Sequence, residues 1–397
     1  MEVKAVNESS VAIRPGIQKK KILFITPALP VASNSGAAHR SHYLLTELQK
    51  IAEVHVCTCS PTGIPHGEAK AFAQHTTYLG NIPLPRRFSY SLKSHSLKFP
   101  LMETLKRRGY DYIVVRYLHS AYWLSLLEQQ NLILDCDDCQ LELLQQIRDQ
   151  SWGLTRLLAK RFFRRLEPRY HASLARIPRV IYARQSSTLP LAPNVTVIPN
   201  RILASAAHSG RAVDQASPRR HVTVLFVGYL GYLPNHRGLG EFIKHSWPSI
   251  VREVPGIRLK VVGGNLPGWI ARRWSRVENV DVCGFVPDLE DVYSDVDICI
   301  SPVSIGSGTH IKVLESLNRG ITMVISKKSH RGFEDAFKDG ECLLVARDFD
   351  DFSSKVCDLA RDARLRGSLG ARGLQVVKQS FAYDRSTPSV FADLLAG

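Results

Sequence analysis

One pattern restricts this chain more than any other: short β-branched runs alternate with helix-length spacers, and the alternation starts twice. In the first half the runs are KILFIT (21–26), VHVCTC (54–59), YIVVRY (112–117), LILDC (132–136), RVIYAR (179–184) and VTVIPN (195–200). Residues 201–220 then lose apolar periodicity and read as a linker. The second half restarts with VTVLFVG (222–228), RLKVVGG (258–264), VDVCGFV (280–286), DICISPV (297–303), TMVIS (322–326) and CLLVA (342–346). Strands re-entered through a helix are parallel, because the crossover returns the chain to the same end of the sheet. Leu239, Phe242, Ile243, Trp247, Ile250 and Val251 recur at helical spacing, with a kink expected at Pro248. The expected fold class is α/β, with two doubly wound domains facing each other across a cleft.

Length agrees with two domains, since 397 residues exceed what one core comfortably fills. The expected division is a flexible N-terminus at 1–18, a first domain at 19–200, the linker at 201–220, a second domain at 221–380 and a C-terminal segment at 381–397. No apolar run approaches the roughly 20 residues that span a bilayer. Lys19-Lys20-Lys21 followed by ILFITPALPVASNSGA imitates a secretory signal, but Thr26, Pro27 and Pro30 interrupt it. A first strand and its loop explain the same residues, and a cytoplasmic location is expected. Eight scattered cysteines fit a reducing compartment. Cys136 and Cys139 have no second pair nearby, so they read as small residues beside a strand end rather than as half a zinc site.

Charge is concentrated rather than spread. Residues 86–108 and 156–176 each carry seven Lys/Arg and one Glu, which supplies +12 of the net +16. Such a surface suits nucleic acid, anionic lipid or a phosphorylated substrate. The first of these is not expected, because no nucleic-acid motif with interleaved aromatics is present. Leu154, Leu158, Phe162, Leu166, Tyr170 and Leu174 recur every four residues within the second basic segment, interrupted by Pro168. That stripe reads as a core-packed helix with a solvated basic face, or as contact with an anionic membrane.

The chemistry is expected at strand ends. In GSGTHIKVLESLNRG (306–320), Gly306 and Gly308 permit a close turn and Thr309 suits an N-cap. Backbone N–H groups from His310 to Lys312 and the Lys312 charge suit a diphosphate. Glu315, about one turn on, suits a ribose hydroxyl pair. Three further glycine turns follow strands: Gly36 before a helix carrying His39 and Arg40, VGYLGYLPNHRG (227–238) with Gly228 and Asn235, and CGFVPD (283–288) with Val286. One such turn is ordinary turn chemistry. Four at strand ends of two similar domains point to one ligand in the cleft.

The second half resembles the nucleotide-sugar-binding domain of GT-B glycosyltransferases, of the retaining family-4 type. The matching runs are VLFVGYLGYLPN, RLKVVGG, VDVCGFVPDLEDVYSDVDICISPVSIGSGTHIKVLESLNRG and DGECLLVARDFDDFSSKVCDLARDARLRGSLGARG. The first half is similar through KILFITPALPVASNSGAAHR, RRLEPRYHASLARIPRVIYARQSS and VTVIPNRI. The resemblance implies sugar transfer from a nucleotide donor with retained configuration, without a metal or other cofactor. It implies that Glu315 holds the donor ribose, that Gly308, Thr309 and the following amides cradle the diphosphate, and that Val286 lies beside the base. Gly36 would approach the diphosphate and sugar, and the C-terminal segment would cross back to the first domain. His119 is implied at the donor sugar, with Arg116 its rival. Arg116 and Arg40 are expected on the acceptor side, and the acceptor as a glycan or lipid-linked molecule in cell-surface polysaccharide or glycolipid synthesis.

Two positions depart from the pattern. Tyr229 stands where an arginine is expected, and Ser307 stands where the first of two paired glutamates is expected. A subset of the family carries PN together with GSGT-IK-LE, as this chain does, and there Lys312 takes part of the cationic role. Ser307 and Thr309 would add hydroxyl hydrogen bonds, so the expected catalytic set is Lys312, His119 and Ser307. Two other classes fit the composition: a nucleotide-sugar epimerase or inverting transferase in the same architecture, and a non-catalytic basic binding protein.

Overall fold

A computed structural model describes residues 19–31, 36–60, 63–83, 105, 107–137, 140–150, 153–184, 192–203, 221–383 and 388–396. The N-terminal 18 residues, Cys139, most of the linker and most of the basic segment at 86–108 lie outside the described residues.

The first domain is built on β1 (Lys20–Thr26), β2 (Ala52–Thr58), β3 (Thr77–Asn81), β4 (Tyr112–Arg116), β5 (Leu132–Asp137), β6 (Arg179–Tyr182) and β7 (Val195–Val197). They form one parallel sheet in the order β3-β2-β1-β4-β5-β6-β7. Its helices are α1 (Gly36–Gln49), α2 (His66–Ala73), α3 (Leu118–Trp123), α4 (Gln140–Asp149) and α5 (Gly153–Arg176). After β8 (Ile202–Leu203), the second domain repeats the scheme with β9 (Thr223–Val227), β10 (Arg258–Val262), β11 (Val280–Gly284), β12 (Ile298–Ser301), β13 (Met323–Ser326) and β14 (Leu344–Ala346), in the order β11-β10-β9-β12-β13-β14. Its helices are α6 (Leu233–His245), α7 (Trp247–Glu253), α8 (Gly268–Trp274), α9 (Leu289–Tyr293), α10 (Ile311–Leu317), α11 (Lys327–His330), α12 (Phe349–Arg361) and α13 (Ala363–Val376).

Helices cover both faces of each sheet, which explains why central strands are apolar throughout: Ile22, Leu23, Phe24 and Ile25 are all fully buried. Each sheet reverses its strand order beside its first strand, at β1/β4 and β9/β12. The loops after those strands flank the crevice where such sheets bind ligands.

The chain end returns to the first domain. β15 (Ala382–Tyr383) pairs in parallel with β8, and Phe391 and Leu395 of the region around α14 (Ala392–Ala396) join the core of Ile22, Phe24 and Tyr43. Ser389 Oγ donates to the Glu47 carbonyl at 2.8 Å, and the Val390 N–H donates to the Glu47 carboxylate at 3.1 Å.

Two local expectations change. The stripe from Leu239 to Val251 is two helices rather than one kinked at Pro248: the chain breaks at Ser246, and Pro248 sits in the first turn of α7, where its missing N–H costs nothing. In α5, Phe163, Leu166, Tyr170 and Leu174 are buried, but Leu158 and Phe162 of the expected stripe are exposed together with Leu157. Pro168 lies inside this helix, which continues through it.

Candidate active site

The turn between β12 and α10 meets the first domain, with one shift from the expected capping. His310, not Thr309, is the N-cap, and α10 has seven residues, all buried. Lys312 and Glu315 lie on it three positions apart. Lys312 Nζ donates to Asn235 Oδ1 at 3.0 Å and stands 4.1 Å from the centre of the Phe226 ring. Burial lowers the amine to about 7, opposed by the pull of Glu315. Asn235, in the first turn of α6, donates in turn to the Tyr229 carbonyl at 2.9 Å. Gly228 is confined by this arrangement. Its φ is 154°, and a Cβ there would lie 2.9 Å from Lys312 Nζ. Glu315 is ionised: burial opposes its charge, but His39 chiefly, with Arg319 and Lys312, holds the carboxyl below its ordinary range.

First-domain side chains grip the same turn. Gln146 of α4 accepts from the Gly306 N–H at 2.8 Å and donates to the Gly306 carbonyl at 3.1 Å. Arg184, just beyond β6, donates through Nε to the Ser307 carbonyl at 2.9 Å. Asn200 donates to Thr309 Oγ1. Glu142 of α4 pairs with Arg184 at 2.7 Å, with Lys328 of α11 at 3.2 Å, and with Arg331. Despite burial, these three cations hold its carboxyl below the ordinary range. Burial pushes His310 down to about 3, aided by Lys312, Lys328 and Arg184, so it is neutral here. Ser307 is 1% exposed, and its carbonyl meets Arg184.

A cavity of about 1310 Å³ lies between the domains. Gly228, Tyr229, Gly263, Gly264, Phe285 and Val286 form one wall, and α1, α2 and the turn after α2 form the other through His42, Thr46, Glu68 and His75. Tyr229 is half exposed on this wall, so it supplies surface where an arginine was expected.

Arg40 and Arg116 correct the sequence reading. Both are fully buried and grip Asp135, at 3.0 Å from Arg40 Nε and 3.0 Å from Arg116 Nε. Arg116 also pairs with Asp137 at 2.7 Å, and Arg40 donates to Asn200 Oδ1 at 2.8 Å. Two fully buried guanidiniums committed to Asp135 and Asp137 present no face to an acceptor. His119 on α3 stacks on Tyr117 with centroids 5.5 Å apart, and burial pushes its imidazole down to about 4. The Tyr117 φ of 69° is the strained turn that brings α3 back toward the strand ends. Gly36 opens α1, and the four residues before it lie outside the described residues.

Glu142, Gln146 and Arg184 were not singled out from sequence. Their partners in the second domain are 123 or more residues away, and no local spacing announces them.

Among curated proteins none matches the chain. The family described as glycosyl transferases group 1 matches residues 221–362. Similar solved structures include a sucrose-phosphate synthase from Thermosynechococcus elongatus, with a TM-score of 0.64, 18% identity and coverage of 92% of this chain and 95% of that one. Anabaena HepE in complex with UDP and glucose has a TM-score of 0.63 at 15% identity, covering 96% and 100%. WaaG, a glycosyltransferase involved in lipopolysaccharide biosynthesis, has a TM-score of 0.60 at 14% identity, covering 95% and 100%. Identity this low establishes the shared GT-B fold, and the family match establishes the kind of second domain. Residues 221–362 thus form a domain of the glycosyl transferases group 1 kind, set in a chain with the GT-B fold throughout.

Proposed function

We propose that the chain transfers a sugar with retained anomeric configuration, from a nucleoside-diphosphate sugar to a glycan or lipid-linked acceptor of cell-surface polysaccharide or glycolipid synthesis. The observation that carries this reading is the pair on α10: a buried Lys312 amine and an ionised Glu315 carboxylate where the second domain meets α1 of the first. The amine suits a departing diphosphate and the carboxylate a ribose diol. Charge developing on the leaving group is then stabilised electrostatically, with no metal and no general acid at Ser307. Neutral His119 contacts the donor sugar by hydrogen bonding. HepE, solved with UDP and glucose, supports a nucleotide in this cleft.

The acceptor side draws support from α5. Leu157, Leu158 and Phe162 are exposed beside Arg156, Lys160, Arg161, Arg164 and Arg165, also exposed. Apolar side chains within a basic face suit an anionic membrane surface at which a lipid-linked acceptor resides. Peripheral attachment on the cytoplasmic face is part of this proposal; among the described residues no helix is long and apolar enough to cross a membrane.

The test is a donor panel. UDP-, GDP- and ADP-sugars are incubated with the protein, and release of nucleoside diphosphate and the anomeric configuration of the product are followed. Turnover of one donor with retention is expected. No turnover with any, or inversion, overturns the reading. Sedimentation with phosphatidylglycerol vesicles but not phosphatidylcholine vesicles checks the membrane component.

A further inference from the structure

Lys312 and Glu315 are opposite charges three residues apart on one helix, a spacing at which such side chains ordinarily pair. They do not pair here. Lys312 turns to Asn235 in its own domain, and Glu315 turns to His39, whose Nε2 comes within 2.6 Å of Oε1 from the opposite domain. Both members of the second contact are largely buried, at 16% and 9% side-chain exposure. His39 sits on α1, one turn after the glycine that opens it.

The arrangement has a chemical consequence. An ionised carboxylate only accepts hydrogen bonds, so one oxygen taken by His39 leaves the other for hydroxyl donors. Without His39 the buried carboxylate is left to the two other cations that already act on it, Arg319 and Lys312. Collapse onto Lys312 would remove both the acceptor for a diol and the cation for a diphosphate, and collapse onto Arg319 would remove the acceptor.

We propose that His39 is a positioning residue for the donor: from the first domain it holds the Glu315 carboxylate apart from Lys312, so that the carboxylate meets the ribose and the amine meets the diphosphate. This rests on the assignment of Glu315 to the ribose made above.

The full-length protein is titrated by calorimetry with UDP, GDP and ADP and with the 2′-deoxy form of each. The wild type binds one of them, and the ribonucleotide more tightly than its deoxy form. His39→Ala weakens the ribonucleotide about tenfold or more and the deoxy form by less than about threefold, while His39→Gln, which keeps an N–H donor, stays within about threefold of wild type. In turnover, His39→Ala raises donor KM with kcat within about threefold.

Unchanged affinity in His39→Ala overturns the proposal, as does an equal loss for both sugars that His39→Gln fails to restore. Should His39→Ala fold poorly, the glutamine variant and its ribose-to-deoxyribose ratio decide. Glu315→Ala separates the two ideas. If it leaves that ratio intact, the ribose assignment falls and the proposal with it. If it abolishes the ratio while His39→Ala does not, only the role of His39 falls. Failure of every nucleotide to bind overturns both.

Discussion

Lys312 is held 3.0 Å from the amide oxygen of Asn235, a neutral acceptor, so its charge is oriented without being neutralised. An amine held this way stays available to an anionic ligand, and burial leaves it titrating near neutrality, at about 7.

That value sets two opposite pH dependences. The unfolded chain keeps the proton up to the ordinary lysine range and the folded one releases it near 7. Stability from this group therefore increases as pH rises between those values, and is lost as pH falls through about 7. Nucleoside diphosphate binding runs the other way, weakening above about 7 and taking up a proton there. Titration in two buffers of different ionisation enthalpy should show that uptake in the wild type and not in Lys312→Met. The same variant should lose about a hundredfold or more in donor kcat/KM.

Glu315→Ala is expected to raise donor KM about tenfold or more, and Ser307→Ala to lower kcat by less than about tenfold. Initial-rate kinetics on the preferred donor checks both. Arg184 binds the Ser307 backbone carbonyl, and Ser307→Ala leaves that carbonyl in place.

Asp135→Asn should act on stability instead. Arg40 and Arg116 are both fully buried against this carboxylate, and removing its charge takes away the anion that the two guanidiniums share most closely. A loss of about 3–5 kcal/mol is expected from breaking a buried pair of this kind. Although burial opposes its charge, the two arginines hold Asp135 below its ordinary range. Its stabilisation is thus present above the unfolded aspartate pKa and is lost as pH falls through the lower folded value. Urea unfolding at neutral pH and in acid should show the wild type converging on the variant as pH drops.

Gly263→Ala probes the backbone of the donor wall. Gly263 has a φ of 154°, and its Cβ would fall 1.9 Å from the Gly228 carbonyl oxygen. β9 and β10 would have to separate there, and a drop of about 10 °C or more in Tm is expected by differential scanning calorimetry.

The strands most easily read from sequence were those buried on both faces. VTVLFVG and KILFIT stand out because parallel sheets demand continuous apolar runs. β3 escaped notice because TYLGN is a half-buried edge with a glycine inside. β8 and β15 are two residues each and exist only as a pair, which no local pattern reveals. On the candidate site, Lys312, Glu315 and Asn235 could be singled out because they belong to short contiguous motifs. The placement of Arg40 and Arg116 was not, because an arginine after a strand looks alike whether it faces solvent or a buried aspartate 95 or 19 residues away. Leu158 kept its spacing of four from Phe162 yet lies outside the core, because among the described residues α5 buries side chains only from Phe163 onward.

β8 leaves the first domain and β15 returns to it, side by side and hydrogen-bonded. The second domain is thereby suspended from a ribbon of two strands rather than from a single thread. A single thread swivels about its own axis; a paired ribbon resists swivelling, because rotation would shear its ladder, and yields most easily by bending across its plane. Rotation of one sheet against the other about this connection would therefore break the β8–β15 ladder, whereas bending across it would not.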